Sequence, residues 1–335
     1  MLGFSKKFRQ TPLMVAVLLT SVCYANTDNI AVAYADDNVA VAYANEPEVF
    51  VGHQGSEHTA QNLARCSQHF YGGVPPALVG EKGRKLAREN YELCFDGFAV
   101  LYSGISKTPI YSAEYLTKNR ILSARTLTRK DSFHEETRLP SSARATLNDY
   151  RRSGYDRGHL SPNGDMSNAS EQFDSFSLAN IAPQNNEHNR GVWQSIEKSV
   201  RNMAVTHYEV YVVTGVVFDG KKVASIGSGV LVPSHFFKAV YIPSLGCAGV
   251  YYSANNASGE LEYISFDQFA KRTGISVMPY LSQDISHAPF NLPDLSGVYE
   301  GGISQNPQSS QDGGWLGVLI KSIIEFVMAF LKERG

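Results

Sequence analysis

The sequence predicts an α+β fold, on three observations. Strand-like apolar runs fall on both sides of one central amphipathic helix. They do not alternate one for one with helices, as a parallel sheet would require. The chain of 335 residues, 43% hydrophobic and 19% charged, is long and apolar enough to bury one large core or two modest ones.

Taken in order, Phe98–Tyr102 and Pro109–Leu116 alternate apolar and small or polar residues and read as strands. Residues 118–154 are polar and irregular. Leu178–Ala182 reads as a short buried strand or a strand end. From Asn189 to about Met203 the spacing becomes helical, with Val192, Ile196 and Val200 on one face. Tyr208–Gly215, Phe236–Ile242 and Ala248–Tyr252 are strands again. Phe266–Thr273 is a helix that ends before Gly274.

The flanks read differently. Lys6, Lys7 and Arg9 precede a short apolar core, Leu13–Leu19, and Cys23-Tyr24-Ala25 offers small residues at −3 and −1. Residues 1–25 are therefore expected to be a cleaved signal peptide, and the protein to be secreted or periplasmic. Val22 occupies the position where a lipobox needs a small residue. Loss of residues 1–25 removes three basic residues and no acid, so the charge falls from −2 to −5. A chain of that charge does not coat nucleic acid by bulk basicity. Residues 26–60 are expected to be a flexible leader, with a repeat at Ala31–Ala35 and Ala40–Ala44 that is too short for a solenoid. In an oxidising compartment Cys66 and Cys94 are the favoured disulfide, tying down the segment that enters the domain, and Cys247 is left over and buried. Residues 286–314, rich in Pro, Ser, Gly, Asn and Gln, read as a linker. Residues 315–335 read as an amphipathic helix, with Lys321 and Glu325 four apart on one face. Through 315–331 it would dock on the body, on another subunit, on a protein partner or on a membrane surface.

The residues with chemistry to offer lie between these flanks. Asp156-Arg157-Gly158-His159 forms a tight polar turn, and Asn189, Glu197 and Arg201 share one side of the central helix if it is regular. His159 can accept a proton at neutral pH. Arg157 can stabilise charge on a phosphate, and Asp156 suits a brace better than a catalyst. Asn189 offers a neutral amide oxygen suited to Mg²⁺, a cation that keeps most of its waters, with outer-sphere help from Glu197. Asn180 would orient those waters or the phosphate. Zinc is disfavoured because neither His nor Cys shows ligand spacing, and His188 reads as a neighbour of Asn189 rather than a ligand. Taken alone, Glu197 and Arg201 would be an ordinary i,i+4 ion pair and His159 a structural histidine. Between Lys118 and Ser161 ten Lys or Arg face five Asp or Glu, a local excess of +5 that suits a polyanion.

Together these residues resemble the DNA/RNA non-specific endonucleases, the ββα-metal nucleases. The resemblance runs from Asp156–His159 through Asn180-Ile181-Ala182-Pro183-Gln184 to Asn189-x-x-x-Trp193-x-x-x-Glu197-x-x-x-Arg201. Arg129-x-x-x-Phe133, Asp149-Tyr150 and Ser153-Gly154-Tyr155 extend it upstream, so that it covers roughly residues 60–285, with the domain itself placed at 61–285. The resemblance implies a central antiparallel sheet with flanking helices. It implies His159 as general base, Asn189 as direct Mg²⁺ ligand with Mn²⁺ as possible substitute, and Glu197 holding metal-bound waters. Asn180, Arg157, Arg129 and Arg201 would handle the phosphate, with Arg125 and Arg138 as competitors for the Arg129 role. DNA and RNA are the expected substrates and 5′-phosphates the expected ends. Two alternatives remain: a phosphodiesterase of small phosphoesters, or a catalytically silent nucleic-acid-binding surface protein.

Overall fold

The computed structural model describes residues 63–220 and 222–292, together with three short upstream strands, Ile30–Ala35, Asn38–Tyr43 and Val49–Phe50. The expected signal peptide, most of the expected linker and the expected C-terminal helix lie outside the described residues.

The body opens with a three-stranded meander, β1 (Asn90–Cys94), β2 (Ala99–Ser103) and β3 (Thr108–Thr117). Helix α1 (Lys118–Ala124) follows, then strand β4 (Asp156–His159), helix α2 (Ala169–Ser175), strand β5 (Ile181–Gln184) and the long helix α3 (Gln194–His207). Strands β6 (Glu209–Val217), β7 (His235–Ile242), β8 (Cys247–Ala254) and β9 (Leu261–Ile264) come next, and helix α4 (Phe266–Thr273) follows them. Seven of these strands form one sheet in the order β9-β8-β7-β6-β3-β2-β1, and every neighbouring pair is antiparallel. Strands β4 and β5 pair antiparallel outside it, so β4, β5 and α3 together make a separate ββα unit.

Pleating sends alternate residues to opposite faces of the sheet, and here both faces are covered. One face is apolar. Ala99, Tyr111, Val213, Phe237 and Tyr252 pack there with Leu63, Phe70 and the Phe266 and Phe269 rings of α4. The opposite face, towards the ββα unit, carries Ser112, Glu114, Thr214, Lys238 and Ser253, all essentially fully buried. The register sets Ser112 beside Thr214 and Thr214 beside Lys238, so polar side chains run across three strands. Over this face α3 buries Ile196, Val200, Met203 and Ala204.

Several expectations change. The stretch beginning at residue 118 is not irregular throughout: Thr117 caps α1 by accepting from the Arg120 N–H, and Ile121 and Ala124 face inward. The leader expected to be flexible carries two strands, and they are the two repeat copies paired with each other, Ala31 opposite Ala42 and Ala33 opposite Ala40. Val49–Phe50 pairs with Leu78–Val79 of the strand Ala77–Val79, whose Ala77 and Leu78 pair on the other side with Ser276 and Ile275. The expected linker also begins late. Phe290 lies edge-on to Tyr251 and Tyr263, Asn291 Oδ1 accepts from the Ala248 N–H, and Leu292 is buried.

Cys66 and Cys94 form a disulfide, and Cys247 is buried and takes no part in it. Closing a loop of 28 residues constrains the unfolded chain, so replacing both cysteines by Ala is expected to lower stability by roughly 3 kcal/mol. Urea unfolding checks this. An unchanged midpoint would assign the anchoring of this segment to Leu63 and Phe70 instead.

Candidate active site

Gly158 is where the local sequence decides the ββα geometry. A Cβ there would come within 2.2 Å of the Gln184 side chain on the facing strand, so only Gly permits the β4–β5 pairing. Gln184 is itself buried and bonds through Nε2 to His188 Nδ1, 2.8 Å away, while His188 Nε2 lies 3.0 Å from Ser253 Oγ. His188 is thus a buried strut between strand and sheet. Burial pulls its pKa down to about 4.

The pairing delivers His159 to a cleft of about 680 Å³ that is also lined by Arg129, Arg157, Asn189, Glu197 and Arg201. The imidazole stands between two rings, 5.5 Å from Phe133 and edge-on to Phe176 at 5.1 Å. Its Nε2 is turned into the protein, shielded from solvent and without a hydrogen-bond partner. Burial, reinforced by the Arg129 guanidinium and opposed by Asp131, drives the pKa of His159 down to about 3. A neutral imidazole with an unclaimed nitrogen is the form that takes up a proton.

The helix does not start as one regular run. After a short turn at Asn186–His188, residues Asn189–Trp193 make a π turn in which Gly191 is non-helical (φ −104°, ψ −110°), and α3 begins only at Gln194. A uniform 100° per residue therefore fails between Asn189 and Glu197. The bulge nonetheless leaves both on the cleft, as π bulges at functional sites often do. Asn189 Nδ2 donates to Asp156 Oδ2 at 3.0 Å, which leaves its Oδ1 as the atom on offer. Glu197 has Arg201 as its ion-pair neighbour, at 4.0 Å, and burial is the main reason its pKa is raised. Arg201 prefers Asp165, with Nη1 donating to Oδ1 at 2.9 Å, so the expected i,i+4 pair is the weaker of its two contacts.

Asn180 is a correction. Its side chain is wholly buried and fully used: Oδ1 accepts from Ser161 N at 3.0 Å, and Nδ2 donates to the Ser161 and Ser175 carbonyls at 2.8 and 2.9 Å. It holds the backbone just beyond His159 in register with the end of α2. Arg129 lines the cleft, with its guanidinium over the Phe176 ring and its Nε donating to Asp131 at 2.6 Å, whereas Arg138 is committed to Glu136 and the Cys94 carbonyl. Arg157 sits over the Phe133 ring. The basic strip is also thinner than its sequence count. Of the ten cations between 118 and 161, Arg129 and Arg157 line the cleft, and Arg120 serves the Gly97 and Asp165 carbonyls.

Four participants were not singled out from the sequence. Asp165 is one, because nothing in its local pattern marks it. Glu114 and Lys238 are two more, and each carried a signal, since a charge inside an apolar strand needs a buried partner. Lys238 Nζ donates to Thr214 Oγ1 and reaches the Leu160 carbonyl at 3.5 Å, beneath the His159 turn. Arg190 is the fourth, its guanidinium donating to both oxygens of Asp156.

The model of the DNA/RNA non-specific endonuclease family matches residues 76–284, which include every one of these residues. The chain belongs to that family. Among similar proteins, the mitochondrial nuclease EXOG of Xenopus laevis is 31% identical over 208 residues, covering 56% of this chain and 58% of its own. Nuclease C1 of Cunninghamella echinulata is 32% identical over 160 residues, 44% of this chain and 64% of its own. Bovine mitochondrial endonuclease G is 39% identical over 125 residues, 34% and 42% of the two chains. The chain thus spans about half the length of the curated relatives it matches. A crystal structure of EndoG in complex with its inhibitor EndoGI superposes with a TM-score of 0.53 at 25% identity, covering 57% of this chain and 87% of that one. The family fold is the one described above, a central antiparallel sheet with flanking helices and a ββα-metal unit at its site.

Proposed function

We propose that this family member hydrolyses phosphodiester bonds in both DNA and RNA with little sequence preference, using Mg²⁺, for which Mn²⁺ can substitute. We further propose that it acts after export, in the periplasm or outside the cell. The observation that carries the reading is the neutral, unpartnered His159 in one cleft with Asn189, Glu197 and a set of arginines. A hard divalent cation fits the donors present: an amide oxygen freed by the Asp156 bond, and a carboxylate with no closer hydrogen-bonding partner than Arg201. Asn189 would hold it directly and Glu197 through water. When bound, it would supply positive charge to the phosphate and its leaving oxygen.

The chain's own residues do the rest. The neutral imidazole of His159, which lines the cleft, takes the proton from water as the water oxygen bonds to phosphorus. The P–O3′ bond breaks, and the leaving oxygen takes up a proton from solvent, giving 3′-hydroxyl and 5′-phosphate ends. Arg157, Arg129 and Arg201 balance the charge that gathers on the phosphate oxygens. Asp165 and Asn180 act at one remove, by fixing Arg201 and the backbone after His159. Backbone and charge contacts of this kind carry no base information, which supports the breadth of substrate.

Supercoiled plasmid and RNA, each incubated with Mg²⁺ or with EDTA, test the reading alongside Asn189→Ala. Degradation of both substrates, abolished by EDTA and by the substitution, is the expected result. Intact nucleic acid under every condition, with turnover of a dinucleotide analogue, would move the function to small phosphoesters.

A further inference from the structure

Asp156 poses a question that the metal reading leaves open. It lines the same cleft as Asn189 and is hydrogen-bonded to it, and a carboxylate is a stronger ligand for a hard cation than a neutral amide. Its oxygens, however, are already claimed. Oδ2 accepts from Asn189 Nδ2 at 3.0 Å and from Arg190 Nε at 3.1 Å, and Oδ1 accepts from Arg190 Nη2 at 3.0 Å. The Arg190 guanidinium thus forks across both oxygens at the cleft edge, from a side chain that is 71% exposed overall.

We propose that Arg190 is a positioning residue that caps Asp156, keeping the carboxylate off the metal so that Asn189 and a substrate phosphate are its ligands. This rests on the metal-dependent reading above. Physically, the fork engages both Asp156 oxygens and offsets the carboxylate charge. It thereby lowers the affinity of the empty cleft for a divalent cation and reduces the repulsion met by a polyanion. A side chain that merely stabilised the fold would weaken metal binding when removed. The cap predicts the reverse.

The test is Mn²⁺ binding without nucleic acid, read from the electron paramagnetic resonance of free Mn²⁺, in the full chain, Arg190→Gln, Asp156→Asn and the double variant. Thermal unfolding verifies that each variant folds. Arg190→Gln is expected to bind Mn²⁺ roughly threefold or more tightly, the scale of one exposed charge converted to affinity. The double variant is expected to bind no more tightly than Asp156→Asn. Unchanged or weaker binding by Arg190→Gln overturns the cap, and so does an equal gain in the presence and absence of the Asp156 carboxylate. No Mn²⁺ binding by the unsubstituted chain would overturn the metal reading itself, and the cap with it.

Discussion

His159→Ala is expected to lower kcat on plasmid DNA by roughly 10²- to 10⁴-fold, the range that a positioned general base contributes, while far-ultraviolet circular dichroism and the unfolding midpoint change little. The ring borders Phe133 and Phe176, but it makes no hydrogen bond through Nε2 that the fold would miss. Activity above a tenth of the unsubstituted level would remove His159 from the role of base. The pH profile makes the claim sharper. With the imidazole pKa driven to about 3 by burial and Arg129, His159 stays neutral well below the usual histidine range. The plot of kcat/KM against pH should therefore show no break near pH 6.5. The acid limb belongs instead to Glu197, whose raised pKa means that it loses its charge before His159 gains one. A break near 6.5 would show that the imidazole titrates as an exposed group.

The second large effect concerns Glu114, buried on β3 with neither carboxylate oxygen hydrogen-bonded. Burial, aided by Asp165 and opposed by Lys238 and Arg120, raises its pKa to about 8 from the ordinary carboxylate value of 4.5. Between those two values the folded protein holds a proton that the unfolded chain has released. Stability therefore falls as pH rises from about 4.5 to about 8, and above that window the loss is complete. Its size is on the order of a few kcal/mol. Glu114→Gln keeps a neutral, isosteric side chain at every pH. At pH 9 it is expected to unfold roughly 5 °C or more above the unsubstituted protein, with little difference at pH 5. Equal midpoints at both pH values would mean that Lys238 and Arg120 hold the carboxylate ionised throughout.

Much of this molecule was legible in its sequence. The strands around Ala99–Ser103, Glu209–Val217 and Cys247–Ala254 follow from local pattern, as does the helix Phe266–Thr273 with its left-handed Gly274 cap. So does the meeting of His159, Asn189, Glu197, Arg157 and Arg201 in one cleft, because a motif confined to a strand pair and the following helix converges whatever surrounds it. The π turn was not legible. A hydrophobic stripe of Val192, Ile196 and Val200 tolerates one extra residue in a turn without losing its face, so the pattern does not register the bulge.

By itself, then, the sequence determined the fold class, the family and the residues that meet in the cleft, since each depends on spacing within a short stretch. The tertiary structure decided how those residues are used. Asn180 is spent on the backbone, Arg201 answers to Asp165, Arg190 closes over Asp156, and Glu114 lies buried with Lys238 beneath the site. The physical reason is common to all four. A polar side chain has more than one possible partner, and only the packing of segments distant in sequence determines which one excludes water and claims it.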